Sequence, residues 1–118
     1  MGMIGGFISG GAGTGKAKVD GQDNIILGTT AGLLLNSDDD DNVAIGTNAL
    51  KSTTTDSNDN IAIGTDCGTS ITSGDSNICI GTKSGEDINT GAKNSLIGYR
   101  AGASITNNMN GVAIGYDA

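Results

Sequence analysis

Apolar residues in this chain come in short triplets, most of them opened by asparagine and all closed by glycine, with polar residues filling the spaces between. The phrase reads NIILG at 24–28, NVAIG at 42–46, NIAIG at 60–64, NICIG at 77–81, NSLIG at 94–98 and GVAIG at 111–115. The closing residues Gly28, Gly46, Gly64, Gly81, Gly98 and Gly115 follow one another at steps of 18, 18, 17, 17 and 17. A period that regular predicts one structural unit stacked along an axis. The triplets are rich in β-branched residues, so each predicts a short strand whose alternate side chains face opposite ways.

One coil can be read at 60–77, NIAIGTDCGTSITSGDSN. Ile61 and Ile63 share one face, and Ala62 takes the other, in the slot filled elsewhere by Ile26, Ala44, Cys79, Leu96 and Ala113. Both faces are apolar, so the strand is expected to be covered twice, once by its own coil and once by a second chain. We expect that second contact along the alanine-lined slot, making these six residues the core of the repeat and of an oligomer. Gly64 breaks the strand at a corner needing positive φ or close backbone approach. Another glycine follows four residues after the corner glycine in most coils (Gly32, Gly68, Gly85, Gly102), and Leu35, Ile71, Ile88 and Ile105, seven after it, seed the opposite wall. The coil begun at Asn42 departs, with Thr53 in the wall position and Leu50 expected to serve instead. Each step has room for two short strands and two turns. The leading asparagines have two readings: a hydrogen-bonded ladder along the axis, or tolerance of a turn before the strand. The predicted fold is all-β, a parallel β-roll or solenoid of about six coils over 23–118, after a glycine-rich arm at 1–22.

Composition sharpens this picture. One Phe, two Tyr and no Trp cannot fill a wide interior, whereas 21 glycines suit a thin stack of narrow coils. Proline is absent, as a continuous ladder of donating amides requires. The net charge of −7 argues against a phosphate-binding surface, so no nucleic-acid partner is expected. Acids gather at Asp38, Asp39, Asp40 and Asp41, read as a solvated turn; no EF-hand loop or calcium nonapeptide is present. With Cys67 and Cys79 as the only thiols and no histidine, zinc has no ligand set. Both cysteines fall in small-residue slots and read as buried free thiols in preference to a disulfide. No cofactor is expected. No stretch reaches the ~18 apolar residues of a spanning helix, and the N-terminus does not read as a secretory signal.

The phrases at 42–46 and 60–64, with NVAIGTNAL at 42–50 and LIGYRAG at 96–102, resemble the head repeats of trimeric autotransporter adhesins of the YadA type. They are also similar to the "NTAIGY" repeats of phage tail fibres, and the likeness covers about 24–118. It implies a left-handed parallel β-roll with three chains about a threefold axis. Ser95 and Gly111 depart from it, putting a polar and a bare position into the phrase. An adhesin would bring an export signal, a stalk and a membrane anchor, so the expectation is a homotrimeric phage structural protein on the virion exterior: a short fibre, spike or decoration. The alternative is the excised head of an adhesin on a bacterial cell surface.

Ile4, Phe7 and Ile8 in the arm are candidates for docking on a capsid or tail protein. Gly10 to Lys16 mimics a phosphate-binding loop, but Ala17 stands where Ser or Thr must hold magnesium, and a linker is the better reading. Thr29, Thr47, Thr65 and Thr82 would make an outward threonine row of the kind that binds ice, but it is one residue wide and ends in Tyr99 and Tyr116. No serine or cysteine sits beside a usable base, so no enzyme is expected. Candidate contact residues for a host receptor are Asp38, Asp39, Asp40, Asp41, Tyr99, Arg100 and Tyr116, the aromatics and Arg because interfaces favour them.

Overall fold

A computed structural model of the chain describes residues 17–19 and 21–118. The arm candidates Ile4, Phe7 and Ile8, and the loop at 10–16, lie outside the described residues. Among the described residues, seven three-residue strands form one sheet in chain order: β1 (Ala17–Val19), β2 (Ile25–Leu27), β3 (Val43–Ile45), β4 (Ile61–Ile63), β5 (Ile78–Ile80), β6 (Ser95–Ile97) and β7 (Val112–Ile114). From β2 onward the pairing is parallel and matches triplet to triplet, with Ala44 beside Ala62, Ala62 beside Cys79 and Cys79 beside Leu96. The six parallel strands make a β-solenoid of about five turns, fewer than the six coils expected, because six strands bound five intervals. β1 runs antiparallel to β2, so three residues from the stretch read as arm extend the sheet and cover the β2 edge.

Each coil holds one strand rather than two. After the strand, a turn closes from the corner glycine, as in the Cys67 N–H donating to Gly64 O at 3.3 Å, and a second follows, the Ile71 N–H donating to Gly68 O at 3.2 Å. The opposite wall is built from such turns stacked on one another, with a lone parallel bridge between Ala92 and Met109. The extra residue of the 18-residue coils falls after the wall position, between Leu35 and Asp39 and between Thr53 and Ser57.

The strand faces are the reverse of the expectation. Ile26, Ala44, Ala62, Cys79 and Leu96 point into the chain's own coil, where they are buried against Ala49, Leu50, Cys67, Ile71, Ile88 and Ala101, with partly buried Ala113 packed beside them. The alanine-lined slot is therefore an intrachain core and not a surface for a second chain. The physical reason is width: a coil this narrow admits small side chains from the strand when Ile or Leu fills it from the other wall. The bulkier residues face out in two columns, Ile25, Val43, Ile61, Ile78, Ser95 and Val112 at the strand entry and Leu27, Ile45, Ile63, Ile80, Ile97 and Ile114 at the exit, all half-buried or exposed.

Asn24, Asn42, Asn60, Asn77 and Asn94 are fully buried and form the ladder. The Asn60 side chain donates to Asn42 Oδ1 at 3.1 Å and to Gly74 O at 2.8 Å, and its own oxygen accepts from the Asn77 backbone and side-chain nitrogens at 2.9 and 3.1 Å. The same pattern recurs down to Gly111, whose backbone N–H still donates to Asn94 Oδ1 at 2.8 Å but which has no side chain to pass the ladder on. Positive φ falls on the preceding residue, at Asp23, Asp41, Asp59, Ser76, Lys93 and Asn110.

Leu50 fills the core in the coil that lacks a wall isoleucine, as expected, from the slot of Gly32, Gly68, Gly85 and Gly102 and with φ at 49°. Thr53 is buried beneath it and donates its hydroxyl to Leu50 O at 3.3 Å. Leu50→Gly alone is expected to cost about 2–4 kcal/mol as a cavity less the relieved backbone strain. Thr53→Ile alone should cost about 1–3 kcal/mol by overpacking. Together they restore the Gly68–Ile71 arrangement, so a double-mutant cycle in urea should show a favourable coupling of about 2 kcal/mol or more; additive costs would refute the exchange.

Candidate contact surface

The corner glycine turns the residue after it outward, and Thr29, Thr47, Thr65 and Thr82 are exposed in one row that continues into Tyr99 and Tyr116. The two rings stack with centroids 5.3 Å apart and planes 15° from parallel, and remain 43% and 77% exposed. The next row, Thr30, Asn48, Asp66, Lys83, Arg100 and Asp117, has positive φ throughout, a turn geometry not foreseen from the sequence. Its members interact along the axis: the Thr30 hydroxyl donates to Asn48 Oδ1, and Asn48 Nδ2 donates to Asp66 Oδ1 at 2.8 Å. Lys83 Nζ meets Glu86 Oε1 at 3.0 Å, and Arg100 Nε meets Asp117 Oδ1 at 3.2 Å. Glu86 holds the Lys83 ammonium above its ordinary pKa, with Asp66 and Tyr99 adding smaller effects.

The acidic turn divides. Asp38, Asp40 and Asp41 are exposed, but Asp39, expected on the contact surface, is fully buried. Its carboxylate accepts the Asn36 N–H at 3.0 Å and the Ser57 N–H at 2.8 Å, so it replaces two turn carbonyls as a structural acceptor. The Asp38 N–H donates to Asn36 Oδ1 at 3.0 Å and the Asp40 N–H to Asn58 Oδ1 at 2.6 Å, bracing the turn locally and to the next coil. Among the described residues no three Asp, Glu, Cys or His side chains gather as a metal-holding group. The exposed acids precede β3, whereas Tyr99, Arg100 and Tyr116 follow β6 and β7, so the fold does not bring the two candidate groups together.

Both cysteines are buried and free. Cys67 Sγ donates to Cys79 O at 2.8 Å, as Ser84 Oγ, one coil on in the same slot, donates to Leu96 O at 2.9 Å. The Cys79 side chain and then burial push the Cys67 thiol far above its ordinary pKa, so no reactive thiolate forms. An unfolded thiol ionises near pH ~8.5 while the folded one does not. The thiol therefore contributes its full stability below that pH and loses it progressively as the pH rises. Cys67→Ser is expected to fold within about 1 kcal/mol of wild type at pH 7, since Ser84 makes the same bond, and to lose less stability between pH 8 and 10. Urea unfolding across that range checks this; parallel declines in both chains would refute it.

The surface that sequence reasoning misplaced is the outer face of the sheet. Its two apolar columns run unbroken except at Ser95, and Ile25, Ile97, Val112 and Ile114 are exposed. No family model, curated protein or solved structure matches the chain.

Proposed function

We propose that this chain is a non-enzymatic structural protein of a phage particle, a short fibre, spike or capsid or tail decoration. It would act as a homotrimeric left-handed β-roll, attached through its N-terminal arm and meeting the host surface along the rod. The observation that carries the reading is the outer sheet face. A parallel sheet is ordinarily covered on both faces, and among the described residues this one is covered only from inside. Each coil contributes one or two outward Ile, Leu or Val side chains at the same height. A closed symmetric assembly of copies would bury all of them at once, since identical coils meet at identical levels. The resemblance of the repeats to phage fibre repeats supports the setting and the number three.

Light scattering on the purified chain tests the assembly: a mass near three times 11.6 kDa is expected, and a well-folded monomer would overturn it. Probing gradient-purified phage particles with an antibody to the chain tests the setting, and its absence from them would overturn that part.

A further inference from the structure

The first coil differs from the others in its turn. Five and six positions after the corner glycine stand Lys51 and Ser52, Thr69 and Ser70, Glu86 and Asp87, and Ala103 and Ser104, but Leu33 and Leu34 in the first coil. The two leucines are 55% and 49% exposed. The terminal unit of a solenoid ordinarily turns a polar surface outward, so an apolar pair on the end coil calls for a cover.

β1 shows the side from which a cover is at hand. It runs antiparallel to β2, with Ala17 opposite Leu27 and Val19 opposite Ile25, so the chain before Ala17 leaves the sheet beside the Gly28 corner. From that corner the coil itself leads on to Leu33 and Leu34. Ile8 precedes Ala17 by nine residues, and Leu34 follows Leu27 by seven, so the segment before β1 has the length to reach the pair. Five of its first eight residues are large and apolar, Met1, Met3, Ile4, Phe7 and Ile8, and glycines at 10, 11, 13 and 15 let the stretch between them and β1 turn.

A separate partner fits the pair less well. Two leucines fall far short of the ~1,200 Å² that a stable interface between separate chains buries. A tethered segment meets them at a roughly millimolar effective concentration, so a patch this small suffices within one chain. We infer that Leu33 and Leu34 are the seat of the chain's own N-terminal segment, with Phe7 and Ile8 packed on them as a cap on the first coil. This goes beyond the function proposed above and needs no assembly; attachment to a particle would be made by the capped end and not by a loose arm.

Thermal unfolding of the full chain tests the cap. Leu33→Ser with Leu34→Ser should lower the melting temperature by about 5 °C or more, although serine stands at the same turn in three other coils. Phe7→Ser with Ile8→Ser should lower it by a similar amount, and all four substitutions together by no more than either pair. Additive losses, or no loss from either pair, would overturn the inference. Location is read from Phe7→Cys paired with Leu33→Cys or with Leu34→Cys, oxidised and run unreduced on a denaturing gel; Cys67 and Cys79 are buried. At least one pair should close a crosslink within a single chain. A crosslinked dimer would put the segment on a second copy, and failure of both pairs would place it elsewhere; either overturns the inference. Light scattering on the same samples keeps the two readings apart. A monomer with a coupled cap defeats the assembly alone, and a trimer indifferent to the Phe7 and Ile8 changes defeats the cap alone.

Discussion

Gly64→Ala is expected to destabilise the fold by about 4 kcal/mol and to lower the melting temperature by roughly 15 °C. Two separate penalties act there. Gly64 has φ at 137°, a region costing an L-residue about 1–3 kcal/mol. An added Cβ would also stand 2.7 Å from the Gly81 carbonyl carbon and 2.8 Å from its oxygen, where the next coil's corner approaches and no flexible side chain can yield. Overpacking against rigid backbone adds about 1–3 kcal/mol. Gly115→Ala separates the terms, because Gly115 has a similar φ of 124° but its added Cβ would meet only Ala118 Cβ, at 3.9 Å. It should therefore show the backbone penalty alone. Gly21→Ala, with nothing within 4 Å, should change stability by less than about 0.5 kcal/mol. Thermal unfolding of the three variants decides the matter. Equal costs at Gly64 and Gly115 would mean that close approach of the coils is not what requires glycine.

The period, the strand triplets and the corner glycines were legible in the sequence because each repeats and each has a single physical use. Leu50 standing in for the missing wall residue was legible for the same reason: a departure from a repeat shows against its neighbours. Which face of the strand looks inward was not. Alternation separates Ala62 from Ile61 and Ile63 but carries no sign when both sets are apolar, and only the small bore of the coil puts alanine inside. Asp39 was misread because four acids in a row look like one solvated run, whereas its slot, three before the next asparagine, is filled by Ser57, Gly74 and Gly91 in later coils. That register marked it as a buried position. The positive-φ rows leave a trace in the Asn and Asp at 23, 41, 48, 59, 66, 110 and 117, which tolerate the left-handed region, but Thr30, Ser76, Lys83, Lys93 and Arg100 in the same rows break the pattern.

Asn60→Ala should cost about 3–5 kcal/mol, and the comparison with its neighbours identifies why. If the asparagines were needed for a turn, the residue with positive φ would be the sensitive one, and that is Asp59, with φ at 59°. Asp59→Ala should then cost only about 1–2 kcal/mol, the price of an alanine in the left-handed region. Asn60 instead sits in the middle of a buried chain of amides. Its loss leaves the Asn77 backbone N–H without an acceptor away from water, at about 1–3 kcal/mol, and opens a cavity in the buried stack; the Asn77 side-chain amide and Gly74 O each lose one of two partners, keeping Gly91 O and the Ser57 hydroxyl. Asn94→Ala should cost less, because Asn94 ends the run. Its oxygen accepts from Gly111 alone, and its bonds to Asn108 and Gly111 are only part-buried, so water can replace them. The expected order in urea unfolding is Asn60 above Asn94 above Asp59. An Asp59 effect larger than that at Asn60 would return the asparagines to a turn role. An Asn94 effect equal to that at Asn60 would mean that each rung acts alone, with nothing gained from its place in the ladder.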